Sequence, residues 1–157
     1  MGAWAISLIG LFNIVGCFFW GALGGRRRKS YLLVWLYAMR SVVMTAFILL
    51  PISNFSVTVF AALMGFLWLG TVPLTGALVG EIFGLKFMAT LFGFSFLGHQ
   101  LGSFVGIWAG GWLYDMYGNY DIIWWTSIVL GLVAALLNYP IDDRPIVRVS
   151  VRSEGAK

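Results

Sequence analysis

Long apolar stretches separated by short polar breaks dominate the pattern of this chain. Five stretches of 20 residues or more contain no charged residue apart from Arg40. About 20 helical residues cross a hydrocarbon core that is about 30 Å thick. The pattern therefore predicts five transmembrane helices, at residues 3–25, 31–52, 56–80, 87–114 and 122–141.

Helices are the expected spanning elements because lipid cannot hydrogen-bond to free backbone groups. The stretches are also too long and too continuously apolar for the alternating strands of a membrane β-barrel. We therefore predict an all-α fold, a polytopic membrane helix bundle at residues 1–141. Residues 142–157 are predicted to form a cytoplasmic polar tail.

The basic residues fall on alternate breaks. Arg26, Arg27, Arg28 and Lys29 follow the first stretch, Lys86 follows the third, and four more basic residues follow the fifth. The other two breaks contain no Lys or Arg. By the positive-inside rule, the basic breaks and the C-terminus are cytoplasmic, and the N-terminus is outside.

Composition narrows the possible functions. The chain is 61% hydrophobic and 10% charged, which is far from the balance of a water-soluble domain. The net charge of +4 lies mostly in the breaks, so we interpret it as a topology signal with membrane lipid as partner, and expect no nucleic acid. The single Cys17 cannot form an internal disulfide, and no motif indicates a metal site, a cofactor or an enzyme.

Four glycines in the fourth stretch recur at every fourth position and so share one helical face. Small residues on a transmembrane helix allow another helix to approach closely. We therefore predict that this glycine stripe is a helix-packing surface, formed by Gly98, Gly102, Gly106 and Gly110.

Few polar side chains lie deep within the predicted spans. Asn13, Arg40, His99 and Gln100 all fall near the expected bilayer midplane. Ionisable groups at that depth are costly and are candidates for function. Structural roles stay open for three of them: Asn13 as an interhelical hydrogen-bonding residue, His99 as a neutral paired imidazole, and Arg40 as a side chain that snorkels or bonds to carbonyl groups of a neighbouring helix. Ser103, four residues after His99, lies on the same helical face.

Several motifs resemble those of the major facilitator superfamily. Gly21 to Lys29 reads GALGGRRRK and is similar to the loop signature G-x-L-x-D-R-x-G-R-K, although Gly25 and Arg28 depart from it. Later motifs resemble the tenth to twelfth helices of bacterial facilitators in the oxalate/formate or monocarboxylate branch. They read PLTG from Pro73, EIFG from Glu81, LFG from Leu91, GHQLG from Gly98 and GGWLYD from Gly110.

The resemblance implies helices eight to twelve of an incomplete major facilitator fold in a bacterial inner membrane. It implies alternating-access transport of small solutes, organic anions among the candidates, with solute bound only when the N-terminal helices are present. His99, Gln100, Asn13 and Ser103 become the preferred substrate or coupling residues, whereas Arg40 moves toward a structural role. Arg26, Arg27 and Arg28 become candidates for a gating loop. The alternative is a small noncatalytic membrane subunit or stabiliser of a larger transporter.

The charge distribution predicts the topology. A reporter fused after Lys157 should report the cytoplasm, and a tag before Met1 should be accessible from outside, because the positive breaks stay inside. Neutralising Arg26 to Lys29 together should disturb insertion of the first two helices. An external C-terminus would contradict both the orientation and the implied helix numbering.

Overall fold

The computed structural model describes residues 2–146, and these are almost entirely helical. No strand occurs in that range, so the predicted all-α class is confirmed. Residues 147–157 of the predicted tail lie outside the described residues. The helices are α1 (Gly2–Gly24), α2 (Lys29–Leu49), α3 (Asn54–Trp68), α4 (Thr71–Phe83), a 3-10 turn (Leu85–Phe87), α5 (Met88–Tyr117) and α6 (Asp121–Asn138).

Four helical segments are long and apolar enough to cross a membrane. They are Gly2–Gly24, Lys29–Leu49, Asn54–Phe83 and Asp121–Asn138. The predicted fourth span differs: it forms a continuous helix, α5, of 30 residues, but its composition is less apolar. His99, Gln100 and Asp115 lower its hydropathy, so α5 is long enough to cross a hydrocarbon core but is not among the four candidate spans of the described residues.

The third predicted span is broken into α3 and α4 at Leu69 and Gly70. Pro73 causes the break, because it has no N–H with which to bond the carbonyl of Leu69. That carbonyl instead accepts a hydrogen bond from Val72 N at 3.1 Å. The Thr71 hydroxyl donates to the Trp68 carbonyl at 3.3 Å, as expected for a threonine beside a bent helix. Pro73 is then tolerated in the first turn of α4.

Close backbone contact joins α1 to α3. A Cβ added to Gly65 would lie 2.5 Å from the Ile9 carbonyl oxygen, and one added to Gly16 would lie 2.8 Å from the Phe66 carbonyl carbon. Only glycine permits this approach. The Trp20 indole also donates to the Phe66 carbonyl at 3.1 Å, so that packing and a hydrogen bond fix the same pair of helices.

A leucine cluster forms the core where α2 meets the ends of α3 and α4. Leu36 and Leu74 are fully buried. The cluster comprises Leu32, Leu33, Leu36, Leu67, Leu74 and Leu78. On its other side α2 packs on α6, where the buried Ser41 hydroxyl contacts the carbonyls of Tyr37 at 3.1 Å and Ile128 at 3.2 Å.

The glycine stripe of α5 makes no close packing contact with another described helix. A Cβ added to Gly98, Gly102 or Gly106 would meet nothing within 4 Å, and one added to Gly110 would make an ordinary contact with Ile123. No residue of α5 is buried within the described range. The stripe therefore makes no close backbone approach within the described residues, and Gly102 lines open space between α5, α2 and α6.

The segment after α6 returns to the start of α2 and caps it. Asp143 is buried, and its Oδ2 accepts hydrogen bonds from the backbone N–H groups of Lys29 at 2.6 Å and Ser30 at 3.3 Å. The Lys29 ammonium forms an ion pair with Glu81 near the end of α4. The Ile146 N–H donates to the Ile82 carbonyl at 3.0 Å. These contacts tie α2, α4 and the returning segment together at one end of the bundle.

The contact between α1 and α3 predicts which glycines are intolerant of substitution. Gly16→Ala or Gly65→Ala should lower the yield of folded protein, because the added methyl forces the helices apart at a cost of about 1–3 kcal/mol. Gly102→Ala is the matched control, since open space surrounds that position. Folded yield in detergent measures the effect. Equal loss in all three variants would contradict the assignment.

The cap on α2 predicts a second difference. Asp143→Ala should destabilise the chain by about 0.5–2 kcal/mol, because two N–H groups at the start of α2 lose their acceptor. Asp142→Ala should have less effect, because Asp142 is exposed and its ion pairs with Arg28 and Arg144 are 3.8 and 3.7 Å long. Thermal unfolding in detergent compares the two variants, and equal stability would contradict the capping role.

Candidate functional site

Arg40 lies midway along α2, where its guanidinium is surrounded by aromatic rings. Its Cζ is 4.5 Å from the centroid of the Trp68 ring and 5.8 Å from that of Tyr37. Cation–π contacts of this kind stabilise a partly desolvated guanidinium. They do not satisfy its N–H donors: the buried Nε has no hydrogen-bond partner among residues 2–146.

Arg40 faces a cavity of about 410 Å³ between α2, α5 and α6. Trp68 of α3 closes one side. No Asp or Glu is among the described residues that line it. The lining residues are Tyr37, Arg40, Ser41, Met44, Trp68, His99, Gly102, Ser103, Ser127, Leu130, Gly131 and Ala134.

Three of the residues predicted to bind substrate or couple its transport line this cavity. Arg40 comes from α2, whereas His99 and Ser103 come from adjacent turns of α5. Gln100 is exposed on α5 and is not among the lining residues. Arg40 and His99 therefore line the same cavity, to which α2, α5 and α6 contribute.

Asn13 occupies a different position. Its side-chain oxygen accepts a hydrogen bond from the Leu69 backbone N–H at 3.3 Å, at the break between α3 and α4. This contact favours the interhelical hydrogen-bonding role, because it supplies an acceptor at an interrupted helix. Asn13 also lines a second cavity, of about 530 Å³, whose walls are almost wholly apolar and aromatic.

The two cavities adjoin. Met44, Trp68 and Ser127 line both of them, so the aromatic space beside Asn13 lies next to the polar space beside Arg40. Sequence reasoning missed Trp68 and Ser127. The sequence could have indicated Trp68, because it lies just before Gly70 and Pro73, where a helix break is expected. It could not have indicated Ser127, which is one serine among apolar residues.

The candidate gating arginines follow α1. Arg26 and Arg27 lie in the turn, where both backbone N–H groups bond to the Leu23 carbonyl at 3.0 Å. Arg28 precedes α2, with its Cζ 4.6 Å from the centroid of the Tyr31 ring and its Nη2 3.8 Å from Asp142. These contacts lie at the same end of the bundle as the Asp143 cap on α2.

No group of three His, Cys, Asp or Glu side chains among the described residues is arranged to hold a metal ion. The ionisable pair in the cavity, Arg40 and His99, consists of two bases, which suits hydrogen bonding to an anion better than binding a cation.

Comparisons with known proteins agree on one family. The family model described as Major Facilitator Superfamily matches residues 1–156. An uncharacterised MFS-type transporter, YcxA, of Bacillus subtilis (strain 168) is 33% identical over 86 residues, which is 54% of this chain and 21% of the relative. The aligned part thus spans about a fifth of that relative's length. No solved structure matches significantly.

Proposed function

The chain belongs to the major facilitator superfamily, and we propose that it is the C-terminal part of a secondary transporter that moves small organic anions by alternating access. The family and the MFS-type relative make it an integral membrane protein of a transporter family. The class of solute is a proposal that rests on the cavity beside Arg40.

The proposal rests on one observation: the Arg40 side chain is a cation that has no anionic partner in that cavity among the described residues. A charge within a membrane is costly, by about 3 kcal/mol on insertion scales and by more in simulations. Such charges are normally paired or line a functional pathway. Arg40 has aromatic neighbours but no ion pair within residues 2–146. A carboxylate solute would supply the missing partner.

The other polar residues of the cavity fit this role. A guanidinium can donate two parallel hydrogen bonds to a carboxylate, which fixes the orientation of the solute. His99 and Ser103 offer further donors from α5, on the opposite wall. We propose Arg40 as the anchor and His99 as the second contact; Gln100 and Asn13 rank below them.

α5 packs weakly against the other described helices. This fits a helix that moves during transport or that contacts further helices. Transport in this family uses two sets of helices that rock about a midplane site. We propose that the chain contributes helices eight to twelve and that α5 presents its glycine stripe to helices outside this sequence. Solute transport would then require those helices, and Arg26 to Arg28 would lie at a gating loop.

We also propose that the N-terminus is outside and the C-terminus cytoplasmic, in a bacterial inner membrane. The contacts among Lys29, Glu81 and Asp143 gather the turn after α1, the end of α4 and the segment after α6 at one end of the bundle. These are the breaks that contain the basic residues, whereas the turns before α3 and α6 contain none. The positive-inside rule places the basic end in the cytoplasm.

The proposal predicts that Arg40 binds the solute. In a complete carrier that contains this chain, Arg40→Gln should weaken binding of radiolabelled oxalate or lactate by about tenfold to hundredfold, because a charged hydrogen bond contributes about 1.5–3 kcal/mol. His99→Ala should weaken uptake, because the cavity loses the proposed second contact to the solute.

Arg144→Gln is the matched control, because it removes the same charge outside both the cavity and the proposed gating loop. Binding is measured per folded molecule, so that a loss of folded protein is not mistaken for a loss of affinity. A folded Arg40→Gln variant with normal binding and uptake would return Arg40 to a structural role. Robust uptake by this chain alone would contradict the need for further helices.

A further inference from the structure

A second basic site lies at the end of the bundle, away from the cavity that contains Arg40. A groove of about 490 Å³ opens there between the end of α1 and the first turns of α2. We call it the headgroup groove; its described lining residues are Leu23, Arg27, Arg28, Tyr31, Leu32 and Trp35.

The lining of the groove changes from polar at the rim to apolar at greater depth. Arg27 and Arg28 are exposed at the polar rim, where the turn joins the helices. Tyr31 and Trp35 follow one and two turns deeper on α2, spaced by four residues, so they share one helical face. Both rings are substantially exposed, at 41% and 57%. Below the rim, the leucines make the wall apolar.

The charges of the rim are incompletely neutralised. Arg27 forms no ion pair within residues 2–146, and Arg28 reaches Asp142 only at 3.8 Å, with both side chains more than half exposed. No carboxylate lines the groove itself among the described residues. The Arg28 Cζ lies 4.6 Å from the centroid of the Tyr31 ring, and a guanidinium that stacks on a ring keeps its N–H groups directed outward in the plane of the fork.

We propose that the headgroup groove binds the phosphate headgroup of an anionic phospholipid, with one acyl chain running along Trp35. Paired guanidinium groups suit a phosphate, to which arginine donates parallel hydrogen bonds. Tyrosine and tryptophan favour the depth at which headgroup meets hydrocarbon. A soluble phosphate would contact the rim alone, whereas a phospholipid would contact the polar rim, the aromatic rings and the apolar wall. The lipid is therefore the occupant that fits the groove.

Native mass spectrometry of the full chain in detergent tests the proposal. Phosphatidylglycerol and phosphatidylcholine of equal acyl length are titrated separately. We expect preferential retention of phosphatidylglycerol, and a loss of its affinity by about fivefold for each of Arg27→Gln and Arg28→Gln. Arg26→Gln should change affinity less than twofold, because it removes the same charge from the same turn but does not line the groove.

Arg27→Gln alone keeps the test valid if the Arg28 variant fails to fold, since Arg27 has no ion pair to lose within the described residues. Equal retention of the two lipids would overturn the proposal. Equal losses at Arg26, Arg27 and Arg28 would also overturn it, in favour of diffuse charge attraction. Displacement of the lipid by an excess of inorganic phosphate would identify a phosphate-ion site instead.

Fluorescence locates the acyl chain independently. Phosphatidylglycerol with brominated acyl chains should quench tryptophan fluorescence more than brominated phosphatidylcholine at the same fraction of lipid in nanodiscs. The excess quenching should disappear in Trp35→Phe and persist in Trp4→Phe, because Trp4 is equally exposed on α1 but lies outside the groove. Persistence of the excess in Trp35→Phe would place the lipid elsewhere and overturn the proposal.

Discussion

Lipid offers no hydrogen bonds, and this constraint explains most of the structure. Every backbone group within the membrane must find its partner inside the protein, so the spanning segments are helices. Where α3 ends, the constraint becomes visible in single residues. Pro73 withholds a donor, and Val72, Thr71 and Asn13 rearrange or supply the bonds around the break. A polar side chain deep in α1 thus has a structural partner, the backbone of the third span.

The same break connects fold to function. It ends α3 at Trp68, whose ring lies over the Arg40 guanidinium and forms a wall common to both cavities. Gly16 and Gly65 bring α1 against α3, while the Trp20 indole bonds to the Phe66 carbonyl. The position of the aromatic wall therefore depends on the glycine contact as well as on the proline.

The charged residues divide into two groups with different physical roles. At the basic end of the bundle, Lys29 pairs with Glu81, and Asp143 caps α2 next to it, so these groups stabilise one another near water. Arg40 has no such partner within residues 2–146 and lies far from any loop of its own helix. Its stability there depends on the rings of Tyr37 and Trp68, and an anion in the cavity would stabilise it further.

The sequence by itself determined the helical class and the membrane setting, because apolar length and backbone chemistry act locally. It also indicated Asn13, Arg40, His99 and Ser103 as candidate site residues. Only the tertiary structure decided which of these meet: Arg40 joins His99 and Ser103, whereas Asn13 bonds to Leu69. Likewise, only the tertiary structure showed that α1 and α3 approach closely at Gly16 and Gly65. Such choices depend on which helix faces which, and neighbours in space cannot be read from periodicity along one helix.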